Sequence, residues 1–560
     1  MRLHTHQWRG VWQTVFHLAC HVAFIPLIEA GCAPHPISVR IGNVTLPNQS
    51  NARGIGMAVG SPEQPFAFLP QWPLNNTMIY GTSGFCELWT TPWTEQGCMT
   101  FRGGEYDSFA SQTRTQAATN AYPADSRPYP AMNFVADTLK VNENVSLVGF
   151  PLGIALNNWG EQGYHPQMAV GMGPNSTFLS ALQRSGKIAT RVWGMFWGRQ
   201  GANSNAQLVG SMVFGGYDKA KVTGQPFTQT LSSDRSSCAT GMLVTITDLV
   251  LNFPNGTNAS LFPSARSTSI SACIVPDYPV LMTMPFNPFF SNFINHTNAT
   301  FGGGRSFGLN FFSVRYDDSK DTPYRGDLTV KLQSGLAVRI PNDQLVIPDT
   351  YSDPQTGRWV VNATDPTLII NSIQDVNAND LTQLGRQFLS AAYLMVDEER
   401  SQFSLWVANP TAREDLVALD SEGGEADSPC PAPSVSPGDH GPVASSNGVS
   451  PGAIAGITVG VLAVGAVAAV WAVWRRRQKQ GALQVERGLG HETAAPSAAP
   501  LYEGNPKHHE RWELGAGDAG GSSHSASPPV DLEVQAQGQG QIHAAHVLHE
   551  LPVAYSYPKS

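Results

Sequence analysis

The segment "AIAGITVGVLAVGAVAAVWAVW", from Ala453 to Trp474, carries no charged residue. At about 1.5 Å of rise per residue, a helix of this length crosses a hydrocarbon core of about 30 Å. Backbone in lipid must satisfy its own hydrogen bonds, so the spacing predicts one membrane-spanning helix over 453–474. "RRRQK" follows at once, and Trp471 and Trp474 stand where an interfacial belt is expected. Positive charge on that flank places the C-terminal side in the cytoplasm. The expected topology is therefore type I and single-pass at the plasma membrane, with an extracellular ectodomain. Gly456 and Gly460 are spaced for close helix packing, which would permit a homodimer through the span. A buried soluble helix is the bland alternative.

Two further features agree with an outside location for the first 450 residues. Residues 1–30 place Arg2 and Arg9 before an apolar stretch, as in a secretory signal peptide. His17 and His21 interrupt that stretch, and an uncleaved N-terminal anchor is the competing reading. Asn43, Asn48, Asn75, Asn144, Asn175, Asn255, Asn258, Asn295, Asn298 and Asn362 each begin a glycosylation sequon, and none follows the span. Beyond Cys20 in the signal, the cysteines are Cys32, Cys86, Cys98, Cys238, Cys273 and Cys430. An even number in an oxidising compartment suggests bridges. Cys86–Cys98 closes a short loop, Cys238–Cys273 is a second pairing, and Cys32–Cys430 is what remains. No Cys-x-x-Cys pair suggests zinc, and neither a metal nor another cofactor is expected.

Charged residues are only 14%, whereas Gly and Pro number 54 and 41. Short β-rich runs recur, such as "GSMVFGG", "LTVKLQSGLAVRI" and "RWVVNATDPTLII", separated by Gly, Asn, Asp and Pro. This pattern predicts an all-β architecture over 33–410. Helices are expected at "STFLSALQRSGKI", capped by Ser176 or Thr177, and at "NDLTQLGRQFLSAAYL", where Leu384 and Phe388 are one turn apart. Residues 411–452 are rich in Pro, Ser and Gly and read as a stalk. The tail, 475–560, is expected to be disordered. Its His543, His546 and His549 could share a helix face as metal ligands, but a flexible polar tail is the favoured reading. The net charge of −9 argues against nucleic-acid partners. No Gly-x-Ser-x-Gly is present, and "FGGGRSFG" lacks the Lys-Ser/Thr ending of a phosphate loop.

Four stretches occur in a telling order: "VGSPEQPFAF", "QMAVGMGPNSTFLSALQRSGKI", "GSMVFGGYDKAKVTG" and "LGRQFLSAAYLMVDEERSQFSLWVANP". Together they resemble the pepsin-like aspartic peptidases over about 40–410. The third and fourth are the specific ones. The resemblance implies a bilobal fold, with an N-lobe at about 40–220 and a C-lobe at about 221–410. It also implies one Asp from an Asp-Thr/Ser-Gly loop in each lobe. Two carboxylates close together cannot both ionise cheaply, so they share one proton and split the roles of base and acid.

Neither loop keeps its acid. The first position falls on Gln71, followed by Trp72-Pro73, and no Asp occurs from Cys32 to Tyr106. Glu63 and Glu87 are too distant to substitute simply. Gln71 cannot ionise. Trp72, and a glycan on Asn75, would be expected to crowd the cleft. The second loop is "CIVPDYPVLMTMP", read as strand, tight turn and strand, where the acid position falls on Pro276. Asp277 is one residue later, and alternation would turn it to the other side. Tyr122 or Tyr129 could overhang the cleft, although a surface loop is the simpler reading.

The expected function is a catalytically dead pepsin-like ectodomain that binds or senses a peptide or wall polymer. The alternatives are an active aspartic endopeptidase with an altered dyad, or a receptor-like adaptor working through its tail.

Overall fold

The computed structural model describes residues 32–426, apart from 73, 83–92, 119–120, 123–131, 156–166, 202–206, 264–267, 306–312, 317–322 and 374–376. The signal, most of the stalk, the span 453–474 and the tail with its histidines lie outside the described residues, as do Cys86, Glu87, Tyr129 and Cys430. Among the described residues, no helix is long and apolar enough to cross a membrane. All of them belong to one compact unit.

The described chain is mostly β. In the first half, β1 (Ile37–Thr45), β2 (Asn51–Val59), β3 (Gln64–Gln71), β4 (Met78–Tyr80), β5 (Met132–Asn142), β6 (Val145–Ala155) and β7 (Ala169–Gly171) pack together. Strand β8 (Val192–Arg199) and β9 (Leu208–Phe214) then lead to β10 (Val222–Thr230). The second half contains β11 (Leu243–Asn252), β12 (Ile270–Ile274), β13 (Met282–Pro285), β14 (Val346–Ser352), β15 (Trp359–Leu368), β16 (Ile370–Ile373) and β17 (Thr382–Leu384). It closes with β18 (Ala392–Asp397) and β19 (Gln402–Ala408).

An internal repeat organises these strands. In the first half the order is β3-β7-β4-β6, with β3 parallel to β7, β7 antiparallel to β4 and β4 parallel to β6. In the second half β12-β17-β13-β16 has the same order and the same directions. In both, a later strand is inserted between two strands that are close in sequence. The loops 72–77 and 275–281 must therefore pass over its end. Gly171 and Gly385 make this possible: a Cβ would lie 2.6 Å from Asn75 C and Asn76 O in the first case, and 2.2 Å from Val280 O in the second.

The halves share a sheet in the order β10-β19-β18-β8-β9-β1. Strand β8 alternates at its centre. Trp193, Met195 and Trp197 join the main core. Phe196 packs on the opposite face with Tyr393 and Trp406. This period-two division puts Trp193 and Trp197 on one face of β8.

Three helices bear on the sequence reading. Helix α1 (Glu95–Arg102) begins at Thr94, whose side chain accepts from Gly97 N. Helix α2 (Thr177–Arg184) begins at Ser176, whose side chain accepts from Leu179 N, as expected from the sequence. Helix α3 (Ser291–Thr297) precedes Asn298, which is left-handed at φ 51°. The helix expected around Leu384–Phe388 does not form. The chain there is β17, a short 3-10 turn at Phe388–Ser390 and β18. The parallel pairing of β17 with β12 outweighs the local helical spacing.

Residues 411–418, expected from composition to belong to a stalk, are bonded to the folded chain. Lys221 Nζ donates to the carbonyls of Thr411 and Arg413 at 2.5 and 2.7 Å. Residues 416–418 then pair with 216–218. These backbone bonds hold a segment whose composition alone predicts no order.

Candidate functional site

Gln71 ends β3 opposite Gly171 and is 4% exposed. Its carbonyl accepts from Met172 N at 3.0 Å. Its side-chain Nε2 is buried and has no hydrogen-bond partner among the described residues. Trp72 does not stand free in a cleft. It is buried against Trp193 of β8, with ring centroids 5.9 Å apart, and its Nε1 also has no partner among the described residues.

The second loop is the strand, turn and strand read from the sequence. Tyr278 N donates to Val275 O at 3.0 Å, and Pro276 and Asp277 form the buried corner. The repeat shifts the correspondence by one residue. Leu69 pairs with Ala169 two residues before Gly171, and Cys273 pairs with Gln383 two residues before Gly385. With the two glycines matched, Gln71 corresponds to Val275, and Pro276 is the next residue. Neither can exchange a proton.

Asp277 is the acid nearest to these positions on the second loop. It is 1% exposed and interacts with Arg386, which follows Gly385. Arg386 N donates to Tyr278 O at 2.9 Å, and its guanidinium carbon lies 5.1 Å from the centroid of the Trp197 ring. Burial pushes Arg386 down to about 9, against the raising influence of Asp277, and Arg53 pushes it the same way as burial. Arg53, on β2, lies 5.5 Å from the same ring and donates from Nη2 to Trp197 O at 2.9 Å. Two guanidinium groups thus lie against the Trp197 ring, one of them under the influence of Asp277, and Trp72 packs on Trp193 of the same face.

A second buried group lies beside the first loop. Glu398 accepts from Trp193 Nε1 at 3.3 Å. Burial pushes its carboxyl up to about 8; the Trp193 bond, Arg191 and Arg235 oppose that, and Asp397 adds to it. Arg235 in turn lies 6.0 Å from the Trp72 ring.

The other expected residues are not brought to the centre. Glu63 pairs with Lys140 at 3.0 Å on the surface. The Tyr122 ring packs 4.1 Å from that of Phe134. Cys238–Cys273 is a disulfide that ties the approach to β11 to strand β12. Cys32 and Cys98 are each disulfide-bonded, but the other halves of their expected pairs, Cys430 and Cys86, lie outside the described residues. Among the described residues, no three His, Cys, Asp or Glu cluster as metal ligands.

Of the sequons, Asn43, Asn144, Asn175, Asn255, Asn258, Asn295, Asn298 and Asn362 are exposed. Asn75 differs: it is 7% exposed, and its Oδ1 accepts from Asn175 N at 3.0 Å. Asn48 Nδ2 is engaged with Gln96 O and Thr100 Oγ1 at 3.0 and 2.9 Å.

Arg53, Arg386 and Glu398 were not singled out in the sequence. For the two arginines the one signal is a charge set inside an apolar, strand-like run, as in "NARGIGMAV" and "LTQLGRQFL"; Glu398, within "DEER", carries none.

No protein-family model matches the chain, and no curated protein matches it. Among solved structures, the crystal structure of the aspartic proteinase from Irpex lacteus is similar to 68% of this chain and 100% of its own, at 15% identity and a TM-score of 0.43.

Proposed function

We propose that this chain is a non-catalytic relative of the pepsin-like aspartic peptidases. It presents a two-lobed binding domain outside the cell on a single membrane span. The ordered sequence segments and the duplicated crossing loops support the fold reading. The observation that carries the functional reading is the identity of the two loop positions, Gln71 and Val275–Pro276. Peptide hydrolysis by this fold needs one carboxylate to activate water and one carboxylic acid to protonate the carbonyl. An amide and an aliphatic side chain do neither. Asp277 does not repair the pair, because its neighbour is a guanidinium and not a second carboxyl. The remaining capacity is recognition of a peptide or polymer by a scaffold that does not cut it.

The test is digestion of a denatured protein from pH 2 to 7, with and without pepstatin. No turnover above background is expected at any pH. Pepstatin-sensitive cleavage would overturn the reading. Surface labelling of intact cells, with a glycosidase-induced fall in mass, checks the location. Protection of the 32–426 domain from the label would remove that part of the proposal.

A further inference from the structure

We propose that the centre of the molecule, where Arg53 and Arg386 share the Trp197 ring, is a receptor site for a carboxylate-bearing ligand. This rests on the binding reading above and names the chemistry such a binder would select.

The argument begins with the charge balance. Arg53 is 8% exposed, and no carboxylate pairs with it among the described residues. Among the described residues its partners are the Trp197 carbonyl and the Trp197 ring, and its Nε has none. Arg386 lies against the same ring and already has Asp277. Two buried cations therefore stand beside one anion. A buried charge without a counter-ion is costly, and a guanidinium fork is shaped to take a carboxylate through two parallel hydrogen bonds.

The strand next to β2 ends in groups of the same polarity. Arg53 is two residues before Ile55, which pairs with Phe68 of β3, so it sits on the strand beside the one that ends at Gln71. Gln71 Nε2 and Trp72 Nε1 are buried donors without partners among the described residues. Donors and guanidinium groups alike call for a ligand that only accepts, which an ionised carboxylate does. Val275 and Tyr278, on the turn around Asp277, are only half-buried. A pepsin-like dyad is acidic and accepts hydrogen bonds. This centre has the opposite sign.

The experiment is calorimetric titration of the detergent-solubilised full chain with three probes. They are an N-acetylated apolar hexapeptide with a free C-terminal carboxylate, the same peptide as its amide, and the amide carrying one internal glutamate. The free acid should bind at least about tenfold more tightly than the plain amide. If the glutamate peptide equals the free acid, the carboxylate comes from a side chain; if it equals the plain amide, it comes from a peptide terminus. Arg53→Met and Gln71→Glu should each lower the free-acid affinity at least about tenfold, the first by removing a fork and the second by adding a like charge. Should Arg53→Met fail to fold, Gln71→Glu and the acid–amide comparison carry the test. Equal binding of acid and amide, no binding of either acidic probe, or full affinity in the folded variants would overturn the proposal. None of these outcomes touches the cleavage assay, so this inference and the non-catalytic reading fail separately.

Discussion

An aspartate placed at position 71 would stand alone. Gln71→Asp is expected to give no pepstatin-sensitive cleavage, because Val275 offers no second carboxyl and Asp277 already interacts with the Arg386 guanidinium. Turnover in that single variant, followed by peptide digestion, would mean that another acid reaches the centre. Trp72 has a structural role that its sequence position hides. It fills the core over Trp193, so Trp72→Ala should cost about 3–5 kcal/mol in chemical denaturation. A loss below about 1 kcal/mol would show that the ring is not packed as described. Asn75 should carry no glycan in the mature protein, whereas glycopeptide mapping should find sugar at several of the exposed sequons. The sequon pattern could be read without coordinates. Whether an amide faces solvent could not, because exposure depends on what the rest of the chain places over it.

Among the elements, the start of α1 holds the second half of the chain as well as its own first turn. Thr94 N and Oγ1 both donate to Pro354 O, at 3.0 and 3.2 Å, and Oγ1 donates to Gln355 O at 2.7 Å. These carbonyls belong to the tip between β14 and β15. The contact is tight: a Cβ on Gly97 would lie 2.0 Å from Pro354 O, and one on Gly357 would lie 2.4 Å from Gln96 O. Thr94→Ala should therefore cost about 1–2 kcal/mol, the loss of a helix cap together with a bond between distant segments. Faster proteolysis at 353–358 should accompany it, and unchanged cutting there would refute the link. Helix α2 was legible because Ser176 precedes a clear apolar stripe. Helix α1 was not, because "EQGCMTFR" holds a glycine and little amphipathic pattern, and its cap is anchored by residues some 260 positions away.

Considered as a whole, the molecule should lose stability as pH rises through neutrality. Glu398 is pushed up to about 8 from 4.5, chiefly by burial, so the folded chain keeps a proton that the unfolded chain releases. Its contribution is full below the ordinary glutamate range, falls as pH rises to about 8, and is flat beyond. Glu105, raised to about 7 by burial, Glu95 and Asp107, acts in the same direction. Asp137 acts in the opposite direction at low pH. Burial raises it, but hydroxyls of Thr113, Tyr106 and Ser111 and the Thr138 N–H together hold it below its ordinary value. Its stabilisation is present above the ordinary carboxyl range and lost as pH falls through its folded value. Denaturation midpoints should thus be highest in mildly acid solution, and Glu398→Gln should flatten the decline between about pH 5 and 8. An unchanged decline in that variant would remove Glu398 as its cause.

Strand-rich character, the two apolar segments and the lack of an acid at position 71 are all properties of residue type and spacing along the chain, so they could be read in order. The opposing charges at the centre could not. Arg53, Asp277 and Arg386 are separated by more than a hundred residues at each step and come together because β2 and the segment after β17 both reach the Trp197 ring. Local propensity carries no information about such a meeting, since the energy that enforces it comes from burying both halves against a shared sheet.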